Sequence, residues 1–303
     1  MKNGPIDVAI IGGGPAGLQA ALVLARTRKQ IIVFDDPQPP RNSASHGVHN
    51  LLGLDGLPPM AIRDLAWQQI ATYHSTEPRH EQVTSIQRGE ADNFLVVSEQ
   101  GIAVWARHVI LACGYRDVYP DIPGFAECWA DTVIPCPYCD GYENRDRVWG
   151  VVASSESTAQ HFPKLVQNWT SDVKLLLQPG VVLDTGYRDS LLAAGISIHS
   201  GSISHIHHTG GKVEAVALGT GETIRLGTLL WVPPTEPLPL VKALVGNLGL
   251  ETDSAGYVKT NEAQQTNIPN LWAAGDVQHG RWALDAVSTG GKAAQMIIKT
   301  WYS

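Results

Sequence analysis

The sequence contains four cysteines, and two of them form Cys136-Pro-Tyr-Cys139. Closely spaced thiols in a cysteine-poor chain are candidates for redox work, one acting as a thiolate of lowered pKa. A structural zinc site would need a second ligand pair. Cys113 and Cys128 lack the C-x-x-C spacing, and no histidine stands near Cys136 in the sequence. Two unrelated buried thiols are the plainer alternative. Asp140 follows Cys139 directly. A carboxylic acid there can carry a proton for a thiolate, or it can simply open an Asp-Gly turn.

The second chemical feature is Gly12-x-Gly14-x-x-Gly17, with Pro15 and Ala16 between its last two glycines. Gly12 permits a tight turn, Gly14 lets backbone approach a pyrophosphate, and Gly17 allows close packing of helix on strand. A helix N-terminus adds amide donors and a dipole that favours phosphate. The flanking residues supply the required context. Ile6–Ile11 is a β-branched run that reads as a buried strand, Leu18–Arg28 as a helix and Ile31–Phe34 as the next strand. Asp35 ends that strand, where a carboxylate can accept from a ribose hydroxyl. Together these features predict dinucleotide binding.

The whole chain bounds these readings. It has 303 residues, enough for about two domains. Hydrophobic residues make up 44% and charged residues 17%, which excludes global disorder. Twenty-two Lys and Arg against 29 Asp and Glu give a net charge of −7. That argues against a nucleic-acid partner. Four cysteines are too few for a secreted disulfide scaffold. Val8–Ala25 carries no charge, but its internal Gly12-Gly-Gly-Pro15 makes it a strand, turn and helix rather than a membrane span or export signal. A cytoplasmic location is therefore expected.

Further strands are expected at Phe94–Ser98, Val104–Leu111, Val148–Ala153, Val173–Leu177, Val213–Leu218 and Leu229–Val232. The proline-dense stretch Pro233–Pro239 reads as a linker, because it can continue neither a helix nor a central strand. Ala273-Ala-Gly275-Asp276 and an apolar helix from Ala283 to Ile298 close the pattern. Asp276 could otherwise be a turn or cap residue.

At Cys136-Pro-Tyr-Cys-Asp-Gly-Tyr-Glu143 the chain resembles the low-molecular-weight thioredoxin reductases, and the resemblance covers nearly its whole length. It implies an α/β fold of two Rossmann-like domains, three-layer and of the FAD/NAD(P)-binding kind, the second inserted into the first. Residues 1–114 and 245–303 would form the split FAD-binding domain. Residues 115–244 would carry the redox pair. The resemblance makes Cys139 the thiol facing the flavin, Cys136 the thiol exchanging with substrate, and Asp140 the acid/base. It assigns FAD contacts to Gly275 and Asp276, to Asn50 in His49-Asn-Leu-Leu-Gly53, and to Trp282 and Ala283 in Arg281-Trp-Ala283. Trp282 replaces the family's usual Gln. A homodimer is also implied.

One family feature is missing. In place of a second glycine fingerprint the chain has Val148-Trp-Gly-Val-Val-Ala-Ser-Ser-Glu-Ser157. Only Gly150 remains, inside the strand, and Glu156 would bring negative charge to a pyrophosphate. The next strand runs into Gln178-Pro-Gly180 without the family's arginines for a 2′-phosphate. NADPH binding is therefore not expected. An intact FAD site, a C-x-x-C and a degraded NADPH site resemble a pyridine-nucleotide-independent branch. This branch includes the dithiol oxidases of the gliotoxin and holomycin type. The Pro-Tyr pair and Pro40-Arg41-Asn42 fit it, whereas Asp140 stands where many of those oxidases have His.

The expected activity is oxidation of a small-molecule or protein dithiol through Cys136 and Cys139 to FAD, then to oxygen, a carrier or a second FAD. The alternatives are a disulfide reductase fed by ferredoxin or another non-nicotinamide donor, and a non-enzymatic flavin-bound redox sensor. Cys113 reads as an apolar filler near the flavin. His205, His207 and His208 read as a solvated hairpin rather than a metal site. Trp301-Tyr302 reads as packing.

Overall fold

The computed structural model describes residues 4–278, 280 and 282–302. Arg281, expected beside the flavin, lies outside the described residues. The described chain divides into two compact units. One runs up to Ser43 and comprises Leu51–Asp117 and the residues from Thr235 onward; the other comprises Ala44–Asn50 and Val118–Pro234.

The first unit is built on a seven-stranded sheet. Its centre is Ile6–Ile11, parallel to Ile31–Phe34 on one side and to Ala103–Leu111 on the other. Val8, Ala9 and Ile10 are fully buried, as the unbroken apolar run requires of a strand covered on both faces. Leu271–Ala273 pairs in parallel with the end of Ala103–Leu111, Leu271 opposite Val109. Phe94–Ser98 and Val83–Arg88 extend the sheet in antiparallel fashion. Two helices, Pro15–Arg26 and Ala283–Thr300, pack against each other on one face. Their approach depends on small residues, since a Cβ at Gly290 would stand 2.1 Å from the Ala16 carbonyl oxygen.

The second unit repeats the principle on a smaller scale. Its parallel sheet runs in the order Ser197–Ser200, Val173–Leu177, Trp149–Ala153, Thr228–Leu230, Val133–Ile134. An antiparallel sheet of Ile203–Thr209, Lys212–Leu218 and Thr223–Arg225 accompanies it. This α/β architecture is the Rossmann-like class expected from the sequence.

Two details differ from expectation. The proline-dense stretch is not a bare linker. Thr235–Pro237 pairs antiparallel with Tyr115–Asp117, and Pro239 opens the helix Pro239–Leu248. A two-stranded ribbon is all edge, so a proline without an N–H is tolerated there, and proline suits a helix's first turn. The chain therefore passes between units at 117/118 and 234/235, not at 114/115 and 244/245, and the helix Pro239–Leu248 stays whole within the first unit. The segment Ala44–Asn50 joins the second unit although its sequence neighbours belong to the first.

Candidate functional site

In the first unit the glycine turn joins Ile6–Ile11 to the helix Pro15–Arg26. Gly12 has φ +114°, and a Cβ there would stand 2.3 Å from the Ala112 carbonyl oxygen. A Cβ at Gly17 would stand 1.9 Å from the Gly12 carbonyl oxygen. Gly14 differs: a Cβ there would meet no protein atom within 4 Å. Gly14 caps the helix with no side-chain hydrogen bond, Pro15 occupies the first turn, and no acidic residue lies in that turn. The result is an open helix N-terminus with its dipole uncompensated, which suits a phosphate.

Asp35 stands at the end of Ile31–Phe34 with only 2% of its surface exposed. A Cβ at Gly13 would stand 2.3 Å from its Oδ1, so the carboxylate lies against the glycine turn. The Arg63 guanidinium donates to Asp35 from the helix Pro59–Ile70. That charge pairing explains how a carboxylate can be buried there. Sequence reasoning missed Arg63, which carries no local motif.

Gly275 and Asp276 follow Leu271–Ala273. Gly275 has φ +74°, and its N–H donates to Thr289 Oγ1 at 2.9 Å. A Cβ there would come within 2.8 Å of the Ala16 methyl group, which places this turn against the first glycine motif. Arg41 Nη1 donates to Asp276 Oδ2 at 3.0 Å. The same guanidinium forks onto Asp117, at 2.6 and 2.8 Å. Arg41 thus anchors the Pro40-Arg41-Asn42 loop to Asp276, a function not visible in the sequence. Trp282 caps the helix that Ala283 begins and is 39% exposed. An open phosphate-type turn, a buried ribose-type carboxylate and a second glycine turn beside them fit FAD.

In the second unit Cys136 caps the four-residue helix Pro137–Asp140. Its carbonyl accepts from the N–H groups of Cys139 and Asp140, at 3.3 and 3.2 Å. Gly141 continues the turn, because a Cβ there would stand 2.1 Å from the Pro137 carbonyl oxygen. Tyr138 points partly to solvent and meets Trp169 edge-on, ring centroids 5.7 Å apart. Asn144 Nδ2 donates to the carbonyls of Asp140 and Asp131, each at 3.0 Å. Asn50 lies in this unit, not with the glycine turns. Its Nδ2 donates to the Tyr138 carbonyl at 2.8 Å, fixing the segment 44–50 to the cysteine motif.

The Asp140 carboxyl is pushed up to about 7. Burial is the main cause, reinforced by the charges of Cys136 and Glu143 and opposed by His49. An acid balanced near neutral pH can both give and take a proton. Cys113 and Cys128 are different. Burial pushes their thiols up to about 12 and about 11. Thiols held protonated are poor nucleophiles, so these two serve packing.

The second unit has its own strand–turn–helix crossing, between Trp149–Ala153 and Glu156–Leu165. Here the helix is capped by Ser155, whose hydroxyl accepts from the Thr158 N–H at 3.1 Å. Glu156 adds an acid to the first turn. Gly150 sits within the strand, where a Cβ would stand 2.7 Å from a Leu226 methyl, so it serves packing. His205 and His207 stand side by side on Ile203–Thr209, rings 4.5 Å apart, and no cluster of three or more metal-ligating side chains occurs among the described residues.

Comparison with known proteins agrees with this geometry. The family model for pyridine nucleotide-disulphide oxidoreductases matches residues 6–296. The thioredoxin reductase tcpT of Claviceps purpurea is 33% identical over 89% of this chain and 86% of its own length. The thioredoxin reductase sirT of Leptosphaeria maculans is 30% identical over 95% of this chain and 91% of its own. Among solved structures, HlmI superposes with a TM-score of 0.91 at 30% identity, covering all of this chain and 94% of that one. An oxidoreductase from Agrobacterium tumefaciens gives a TM-score of 0.89 at 29% identity over 99% of both chains. No described helix is long and apolar enough to cross a membrane. The chain belongs to the pyridine nucleotide-disulphide oxidoreductases, an FAD-dependent enzyme family, and is a disulfide oxidoreductase of the thioredoxin reductase type.

Proposed function

We propose that this enzyme oxidises dithiols through Cys136 and Cys139 with bound FAD and without NADPH. One observation carries the reading. The nucleotide-type crossing of the second unit has no glycine at its turn, and its first-turn amide is taken by Ser155. The crossing of the first unit keeps its glycines and its open N-terminus. Only one of two similar crossings is therefore built for phosphate.

FAD would be held by Gly12, Gly14, Pro15, Ala16, Gly17, Asp35, Gly275, Asp276, Trp282 and Ala283. Bound FAD supplies a two-electron acceptor. The protein supplies thiol exchange. A substrate thiolate attacks Cys136 Sγ, the Cys136–Cys139 bond breaks, and Cys139 leaves as a thiolate. The second substrate thiolate attacks the substrate sulfur of the mixed disulfide. Cys136 then leaves with the bonding pair and takes the proton held by Asp140. The substrate departs as a disulfide and the cysteine pair is left reduced.

Oxygen is the proposed final acceptor, in a homodimeric enzyme located in the cytoplasm. An oxygen electrode tests this with dithiothreitol as the substrate. One hydrogen peroxide should form per dithiol oxidised, with no nicotinamide present. Turnover that appears only after another electron carrier or a second flavin is added would reassign the acceptor. Turnover that requires NADPH would overturn the reading.

A further inference from the structure

The segment 44–50 is the least explained part of the second unit. It is separated from the cysteine motif in sequence, yet Asn50 binds the Tyr138 carbonyl and His49 Nε2 lies 3.6 Å from Glu143 Oε1. Asp140 and Glu143 lie three residues apart, the spacing that brings side chains onto one face of a helical turn, and Cys136 precedes them as the extended cap of the helix. The turn is continuous, since the Asn144 N–H donates to the Asp140 carbonyl at 3.3 Å. His49 therefore meets Glu143, at the end of this turn, from a segment distant in sequence.

We propose that His49 is a positioning residue for thiol exchange: held by Glu143 and by the Asn50 anchor, it steers the proton that Asp140 passes to Cys136. This rests on the exchange chemistry proposed above. When Cys136 leaves the mixed disulfide, its sulfur takes the bonding pair and the Asp140 proton. Asp140 becomes a carboxylate beside Glu143, two like charges in a partly buried place. The His49 ring, 3.6 Å from Glu143, stands where a cation opposes that repulsion. The same opposition is visible in Asp140 itself, where Glu143 raises its proton affinity and His49 lowers it.

The other charged groups nearby are already engaged. His46, at the far end of the segment, lies 3.9 Å from Asp131, which Lys212 also holds at 2.6 Å. Arg145 sits over the Tyr142 ring at 4.1 Å, and Arg147 donates to Asn144 Oδ1 at 2.9 Å. Tyr138, Cys139 and Tyr142 are the other titratable side chains within the motif. The His49 side chain is 23% exposed and that of Glu143 45%, so water screens part of their effect.

The test is a flavin-independent count of thiols. Oxidised holoprotein is mixed with dithiothreitol, quenched with iodoacetamide at timed points, and alkylation of Cys136 and Cys139 is read by mass spectrometry across about pH 5 to 9. In the unaltered protein the exchange rate should change around the Asp140 midpoint, near 7. His49→Gln should move that midpoint up by about half a unit, and Glu143→Gln should move it down by about as much. His49→Arg, which keeps the charge, should hold it at or below the unaltered value. A purely structural role would move the two Gln variants together, or slow exchange without moving the midpoint. Either result overturns the inference while leaving the proposed function standing. Absence of exchange in the unaltered protein would overturn the proposed function, and this inference with it.

Discussion

Cys139→Ser should abolish dithiol turnover and leave the flavin in place. The loss should be about 10⁴-fold or more, because residues that act as one unit fail together when either is removed. Serine cannot form the disulfide that accepts the substrate's electrons, so no partial route survives. The cofactor is expected to stay, since the residues proposed to hold it lie in the first unit and Cys139 in the second. The check pairs an oxygen electrode with the flavin absorbance of the purified variant. A flavin-bound sensor that turns nothing over would show no enzymatic rate to lose. Persistence of the unaltered rate in Cys139→Ser would remove the cysteine pair from the reaction. Cys113→Ser and Cys128→Ser, which alter thiols that burial keeps protonated, should keep turnover.

Two glycine substitutions should separate folding from cofactor binding. Replacing a helical glycine by alanine ordinarily stabilises by about 0.5–1 kcal/mol. At Gly17 the new Cβ would stand 1.9 Å from the backbone oxygen of Gly12, and backbone cannot swing aside as a side chain can. Steric cost therefore exceeds the propensity gain, by an amount in the range of about 1–3 kcal/mol seen for overpacked sites. Gly17→Ala should purify without flavin and melt earlier than the flavin-free unaltered protein. Gly14→Ala meets no protein atom within 4 Å, and its φ of −80° is open to any residue. It should therefore melt with the flavin-free unaltered protein yet bind FAD much more weakly. Its methyl group would stand where the pyrophosphate must approach backbone. Flavin-to-protein absorbance ratios and melting curves read both effects. Normal flavin content in Gly14→Ala would place the cofactor elsewhere.

Much of this was legible from local patterns. Ile6–Ile11, Ile31–Phe34 and Val173–Leu177 emerge where the apolar runs predict them, because a strand buried on both faces needs no longer-range information; Phe94–Ser98 emerges by its alternation of buried and half-buried residues. The hairpin through His205–His208 also follows its pattern. The helix Pro15–Arg26 starts before the expected Leu18, since proline is at home in a first turn. The helix Pro239–Leu248 begins within the proline-dense stretch that reads as a linker, and the helix Pro59–Ile70 carries no motif that singles it out.

Within the candidate site, the cysteines and glycines declare themselves by spacing. Their partners do not. Arg63 on Asp35, Arg41 on Asp276 and His49 beside Glu143 are single residues brought in from distant segments. Only the tertiary fold makes those pairs, and no periodicity encodes them. The grouping of Asn50 with the cysteine motif is of the same kind. Its immediate neighbour Leu51 already belongs to the other unit.

The central claim is that electrons enter from a dithiol and not from a nicotinamide. Anaerobic mixing tests it most directly, with flavin absorbance followed after addition of stoichiometric NADPH and then of dithiothreitol. The account predicts no bleaching with NADPH, bleaching with the dithiol, and recovery of colour when air is admitted. Rapid bleaching by stoichiometric NADPH would contradict it.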